Sequence, residues 1–76
     1  AMEKVLDLRK SVFELCQADK GIMEILAEAG FAEIAKPGML NTVGRVMTIP
    51  KGARMRGIKL EDVIKTFEDH GYSVIQ

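Results

Sequence analysis

The sequence predicts an all-α fold: a compact array of four or five short helices, with room for a minor two-stranded pairing of the chain ends. Three observations carry this expectation. Apolar residues recur at helical spacing in several segments, three of those segments run into a glycine followed by an apolar residue, and the chain is too short for more than one domain. The three glycine sites are "EAGF" at 28–31, "RMRGI" at 54–58 and "DHGY" at 69–72. Glycine lacks a Cβ and so adopts the left-handed conformation that commonly ends a helix. The residue after it then folds its apolar side chain back over the last turn. Gly30, Gly57 and Gly71 are therefore read as helix stops.

The elements follow in order. "VLDL" at 5–8 is compatible with an extended segment, and so is "YSVI" at 72–75, which makes a pairing of the two ends possible. Val12, Leu15 and Cys16 mark a short helix over about 10–18. Asp19 is the expected cap of a helix over about 20–29, with Ile22, Ile25, Leu26 and Ala29 inward and Glu24 and Glu28 outward. Pro37 and Gly38 break the pattern, and Asn41 is the expected cap of one short turn through Gly44. Thr48 caps a helix over 49–56, where Pro50 is tolerated in the first turn. The last helix, about 60–70, turns Leu60, Val63, Ile64 and Phe67 inward and holds a Glu61–Lys65 pair outward. "IMEILAEAGF" and "VIKTFEDHGY" look like a weak repeat, but two copies are too few for a solenoid, and two helices ending alike explain them.

The domain is expected to span 2–76, with Ala1 before Met2 read as a cloning scar. A core in a 76-residue chain is small, since about 60% of the unfolded surface is buried at this size. No run of apolar residues approaches a membrane span and no signal-peptide pattern is present, so a cytoplasmic setting without membrane contact is expected. A lone cysteine, Cys16, forms no internal disulfide, which suits a reducing compartment.

Net charge is zero, yet the charges are segregated. Lys36, Arg45, Lys51, Arg54, Arg56 and Lys59 lie in a window with no carboxylate between Glu33 and Glu61. Such asymmetry bears on partners and encounter rather than on fold.

Several chemistries are weighed against plainer readings. His70 and Cys16 are single residues of their kind, too few for a zinc site of about four ligands, so neither metal nor cofactor is expected. His70 is more simply a residue compatible with the C-terminal end of a helix dipole. The five methionines have no tight spacing and are read as core gap-fillers. Cys16 beside Leu15 and Val12 is read as a small buried hydrophobe. Glu61/Asp62 and Glu68/Asp69 are neighbours in sequence and do not face one another on a helix, so no nucleophile, base and orienting group assemble, and no enzyme is expected.

The glycines and arginines of "TVGRVMTIPKGARMRG" match neither the phosphate-loop nor the dinucleotide spacing. A helix-turn-helix at "RMRGIKLEDV" would present Glu61, Asp62, Glu68 and Asp69 to phosphates against one Lys65. The basic window also holds no aromatic for base stacking, which argues against nucleic acid.

"IMEILAEAGF", "LNTVGRVMTIPKGARMRGI" and "LEDVIKTFEDHGYSVI" together resemble a known family. It comprises small uncharacterised bacterial helical domains related to the hybrid-cluster-protein-associated redox disulfide domain. A more distant similarity is to the N-terminal domain of ScdA-type iron–sulfur cluster repair proteins. The "NTVGR" segment at 41–45 resembles the cysteine-free branch. The resemblance implies an all-α domain of unassigned function, placed in cytoplasmic proteins linked to redox, nitrosative stress or iron proteins. In the redox branch cysteines follow the glycine ending the second helix, whereas this chain reads Phe31-Ala32-Glu33-Ile34-Ala35 there. Disulfide exchange and cluster ligation need paired thiolates, so neither carries over.

The reading that remains is a non-enzymatic interaction module. Arg45, Lys51, Arg54 and Arg56 form the expected contact face, and an acidic protein surface is the expected partner. A second copy of the chain is a further candidate, because self-association buries more surface around a small core. The alternative is a small-ligand or anion-binding domain that uses the basic segment 36–59. Its plainer competitor pairs Arg45, Arg54 and Arg56 with acids on the flanking helices.

Overall fold

The elements form where local chemistry starts and stops them. The structure, a computed structural model, describes residues 4–36 and 38–76. The expected scar at Ala1 and the break at Pro37 lie outside the described residues. In chain order they form strand β1 (Val5–Asp7), helices α1 (Val12–Ala18) and α2 (Gly21–Glu28), a 3-10 turn at Ala32–Ala35, helices α3 (Val43–Val46), α4 (Ile49–Arg56) and α5 (Leu60–Asp69), and strand β2 (Ser73–Ile75).

Helix α1 begins later than its apolar spacing suggests, because a capping box sets its start. The Ser11 hydroxyl accepts from the Glu14 amide at 3.1 Å, and the Glu14 carboxylate accepts from the Ser11 amide at 3.0 Å. Two of the free amides at the helix start are satisfied by this exchange. Asp19 acts ahead of α2, but its carboxylate accepts from the Gly21 amide at 2.9 Å while Lys20 holds the cap position without a side-chain bond. Thr48 caps α4 by accepting from the Lys51 amide at 3.3 Å, with Pro50 in the first turn. The short turn near Asn41 differs from expectation. Helix α3 starts at Val43, and no side chain caps it. Asn41 contributes its carbonyl oxygen, which accepts from Arg45 Nε at 2.8 Å.

All three glycine stops are present, and each closes in the same way. Gly30, Gly57 and Gly71 have φ of 111°, 69° and 88°. The next amide reaches back five residues in each case: Phe31 to the Leu26 carbonyl at 2.8 Å, Ile58 to Ala53 at 2.9 Å, and Tyr72 to Phe67 at 3.0 Å. The glycine amide closes the inner bond, to Ala27, Arg54 and Glu68 respectively. This paired pattern satisfies carbonyls that a helix end otherwise leaves free. It also turns Phe31 and Tyr72 into the core, where each is 6% exposed.

The chain ends do pair, and the pairing is parallel: Val5 faces Ser73, Leu6 faces Val74, and Asp7 faces Ile75. Parallel strands need a long crossover, and here the whole helical array serves as that connection. Leu6 on β1 is fully buried beside Ile22, Leu26, Ile49, Val63 and Phe67, so the ribbon closes one side of the helical core. The inward faces expected for α2 and α5 match, with Ile22, Ile25, Leu26, Val63 and Phe67 buried and Ala29, Leu60 and Ile64 packed at the margin. Phe67 and Tyr72 meet edge to face at 5.4 Å, fastening β2 to α5. No helix among the described residues is long and apolar enough to cross a membrane.

Candidate functional site

The segment between the first two glycine stops, 31–56, folds around an open cleft. Its floor is built by Phe31, delivered by the Gly30 stop, and by Gly52 of α4. A Cβ on Gly52 would lie 3.0 Å from Met47 Sδ and 3.1 Å from Phe31 Cε1, so the missing side chain lets both approach the helix. The walls are Ile34 of the 3-10 turn, Val43 of α3, and Met39, Met47 and Met55. Glu33 and Arg56 complete a cleft of about 380 Å³. Met55 is 71% exposed, a large apolar surface left in water. Thioethers on flexible stems suit a surface that adapts to a partner's side chains.

The four expected contact residues are all exposed, but they do not act as one cluster. Arg45 lies over the Phe13 ring with its guanidinium carbon 4.2 Å from the centroid, and does not line the cleft. Its position is set by the Asn41 carbonyl and by attraction to the ring face. Arg56 lines the cleft and is paired with Glu33 at 2.7 Å. Lys51 and Arg54 have no ion-pair partner among the described residues. Neither lines the cleft; on α4 Lys51 shares a face with Met55 one turn on, whereas Arg54, its neighbour in sequence, points about a quarter turn away. Among the described residues, internal pairing with flanking acids thus holds for Arg56 and not for Arg45 or Arg54.

The sequence, with no tight spacing among its methionines, suggests core gap-fillers; Met39, Met47 and Met55 lie eight residues apart, and Met55, 71% exposed, fills no core gap. They come from the turn before α3, the α3–α4 joint and the last turn of α4, and tertiary packing brings them to one cleft. No local signal announces that convergence.

A second cleft, about 480 Å³, is lined by Lys4, Asp19, Glu24, Glu28, His70 and Tyr72 among others. Its polar groups largely satisfy each other. Tyr72 donates to Asp19 Oδ2 at 2.5 Å, Asp19 also accepts from the Gly21 amide, and His70 Nε2 lies 2.8 Å from Glu28 Oε2. Burial, with the Asp19 hydrogen bond and charge acting the same way, pushes the Tyr72 hydroxyl up to about 12. Among the described residues no group of three or more His, Cys, Asp or Glu side chains is placed to hold a metal ion. Cys16 is buried, as expected, and burial followed by the Asp19 charge pushes its thiol up to about 11. Such a thiol holds almost no thiolate near neutral pH and is a poor nucleophile.

The comparisons place the chain among known domains. Residues 6–64 match a family described as "Domain of unknown function (DUF1858)". The solved structure "The crystal structure of the conserved domain protein from Streptococcus pneumoniae TIGR4" superposes with a TM-score of 0.91 at 35% identity. The match covers 99% of this chain and 95% of that one. No curated protein matches the chain. A family match that takes in most of the helical array, together with a full-length structural relative, means that the chain belongs to the DUF1858 family.

Proposed function

We propose that the domain is a non-enzymatic protein-interaction module whose contact surface is the methionine-lined cleft. Its occupant is a segment of a partner protein that offers a large apolar side chain flanked by carboxylates. The observation that carries this reading is the convergence of Met39, Met47 and Met55 on one open cleft, one side of which is α4, the helix that also bears Lys51 and Arg54, two exposed cations with no acid partner among the described residues. Desolvating one large apolar anchor in such a cleft is worth about 1.5–3 kcal/mol. The rim charges add selectivity and encounter rate more than affinity.

The small-anion alternative has less support. The Lys51 amide at the start of α4 is taken by the Thr48 hydroxyl, and Arg45 is held over Phe13. The resemblance to redox- and iron-associated domains supports a place accessory to such a system, in the cytoplasm. With one buried cysteine in the chain, that role is recognition rather than thiol chemistry.

Random-peptide display on the immobilised domain tests the reading. The enriched peptides are expected to share one or two large apolar residues among Asp or Glu, and to lose enrichment on Met55→Lys. A basic or featureless consensus, or one indifferent to Met55→Lys, overturns it. Equal competition by inorganic phosphate would favour the anion reading, and peptides drawn from this chain's own sequence would indicate a second copy as the occupant.

A further inference from the structure

We infer that Glu33 is a built-in competitor for the partner: its carboxylate holds the cleft-mouth guanidinium of Arg56 that an incoming carboxylate needs, so docking exchanges one ion pair for another. This rests on the docking reading above. The geometry is direct. Glu33 Oε2 lies 2.7 Å from Arg56 Nη2, and both residues line the cleft. Among the described residues no other carboxylate lines that cleft.

The pair is built to open. Its side chains are 39% and 55% exposed, so water can replace either partner at little cost. A buried pair would instead leave an uncompensated charge when broken. The backbone beneath Glu33 is fixed, since Ile34 beside it is 7% exposed and the Glu33 carbonyl accepts from the Lys36 amide at 3.1 Å. Opening therefore needs only a side-chain rotation. Arg56 stays near the last carbonyls of α4, where a cation is favoured by the helix dipole whether or not Glu33 is engaged. Lys51 and Arg54 carry no such internal partner among the described residues and do not line the cleft, so the three α4 cations are unequal: two are free for encounter and the one that lines the cleft is gated. A neutral apolar segment would leave the Glu33–Arg56 pair closed across the mouth. An acidic one replaces it, and the exchange favours partners that bring a carboxylate to that point.

The test is titration of a synthetic amphipathic helix of Leu, Phe and Glu into the wild-type domain, Glu33→Gln, Arg56→Gln and the double variant. Glu24→Gln serves as a control carboxylate remote in sequence. Removing Glu33 is expected to tighten binding by about 1.5- to 5-fold, the range set by an exposed ion pair. Glu24→Gln should tighten it less, and the gain from Glu33→Gln should vanish in the Arg56→Gln background. Glu33→Asp, which keeps the charge but shortens the stem, separates charge from reach and should fall between wild type and Glu33→Gln. Equal or weaker binding by Glu33→Gln, an equal gain from Glu24→Gln, or a gain that survives Arg56→Gln overturns the competitor role while leaving the docking reading intact. Failure of the wild-type domain to bind the helix at all overturns both.

Discussion

Gly30→Ala isolates the device that shapes both the core and the cleft. Gly30 sits at φ 111°, a region L-residues occupy at a cost of about 1–3 kcal/mol. An added Cβ would also lie 2.8 Å from Ile58 Cδ1, the end of a side chain that must then leave its rotamer for a further 0.5–1.5 kcal/mol or so. Alanine recovers about 0.4–1 kcal/mol by restricting the unfolded chain. The net loss is about 2 kcal/mol. Gly57→Ala is the matched control, because φ is 69° there but nothing lies within 4 Å of the new Cβ. Its loss is about 1 kcal/mol. For 76 residues the unfolding entropy is about 160 cal/mol/K, so these translate to falls in Tm of about 12 and 6 °C. Thermal unfolding followed by circular dichroism reads both. Ile58→Val removes the offending Cδ1 and should return part of the Gly30→Ala loss but none of the Gly57→Ala loss. Equal Tm values for Gly30→Ala and wild type, or no difference between the two glycine variants, would refute the reasoning.

Further outcomes follow from other local devices. Ser11→Ala removes the hydroxyl half of the capping box and should cost about 0.5–2 kcal/mol in urea unfolding, while the backbone amide of residue 11 can still donate to the Glu14 carboxylate. Tyr72→Phe leaves Asp19 Oδ2 without its donor and should cost about 1–3 kcal/mol. The pH profile adds a signature: the Tyr72 hydroxyl rises from 10 to about 12 on folding, so its contribution is complete below pH 10 and fades as pH climbs through about 12. That alkaline loss should be absent in Tyr72→Phe. Cys16 should resist a thiol reagent in the native domain at neutral pH and react at once in denaturant, whereas rapid native labelling would contradict its burial.

How much of this was legible in the sequence depends on the range of each interaction. The glycine stops could be read because a Schellman closure spans six consecutive residues, and the apolar residue after each glycine advertises it. The Thr48 cap and the inward faces of α2 and α5 are local in the same sense. The Ser11–Glu14 box was equally local and readable in "SVFE" at 11–14, yet the apolar spacing of Val12, Leu15 and Cys16 drew the helix start too early. The strand segments could be placed, but their parallel direction is a property of sites nearly seventy residues apart.

The site was less legible for the same reason. Charge segregation points to the segment that carries the methionine-lined cleft, and Lys51 and Arg54 have no ion-pair partner among the described residues. Arg45 was diverted by Phe13 of α1, and Arg56 by Glu33 of the 3-10 turn, both partners lying outside the basic window. Spacing rules describe one element at a time, whereas the Met39–Met47–Met55 lining joins three. Asp19 and Tyr72, 53 residues apart, show the same limit.

The central claim is that the cleft, with Lys51 and Arg54 on the same helix as Met55, receives an acidic, apolar segment. It is tested most directly by nuclear magnetic resonance titration of the isotope-labelled domain with the Leu/Phe/Glu helix. The account predicts amide and methyl shifts concentrated at Met39, Val43, Met47, Gly52 and Met55, abolished by joint Lys51→Glu and Arg54→Glu substitution with the fold retained. Shifts centred on Lys4, Glu28 and His70, or binding undiminished in that doubly reversed variant, would contradict it.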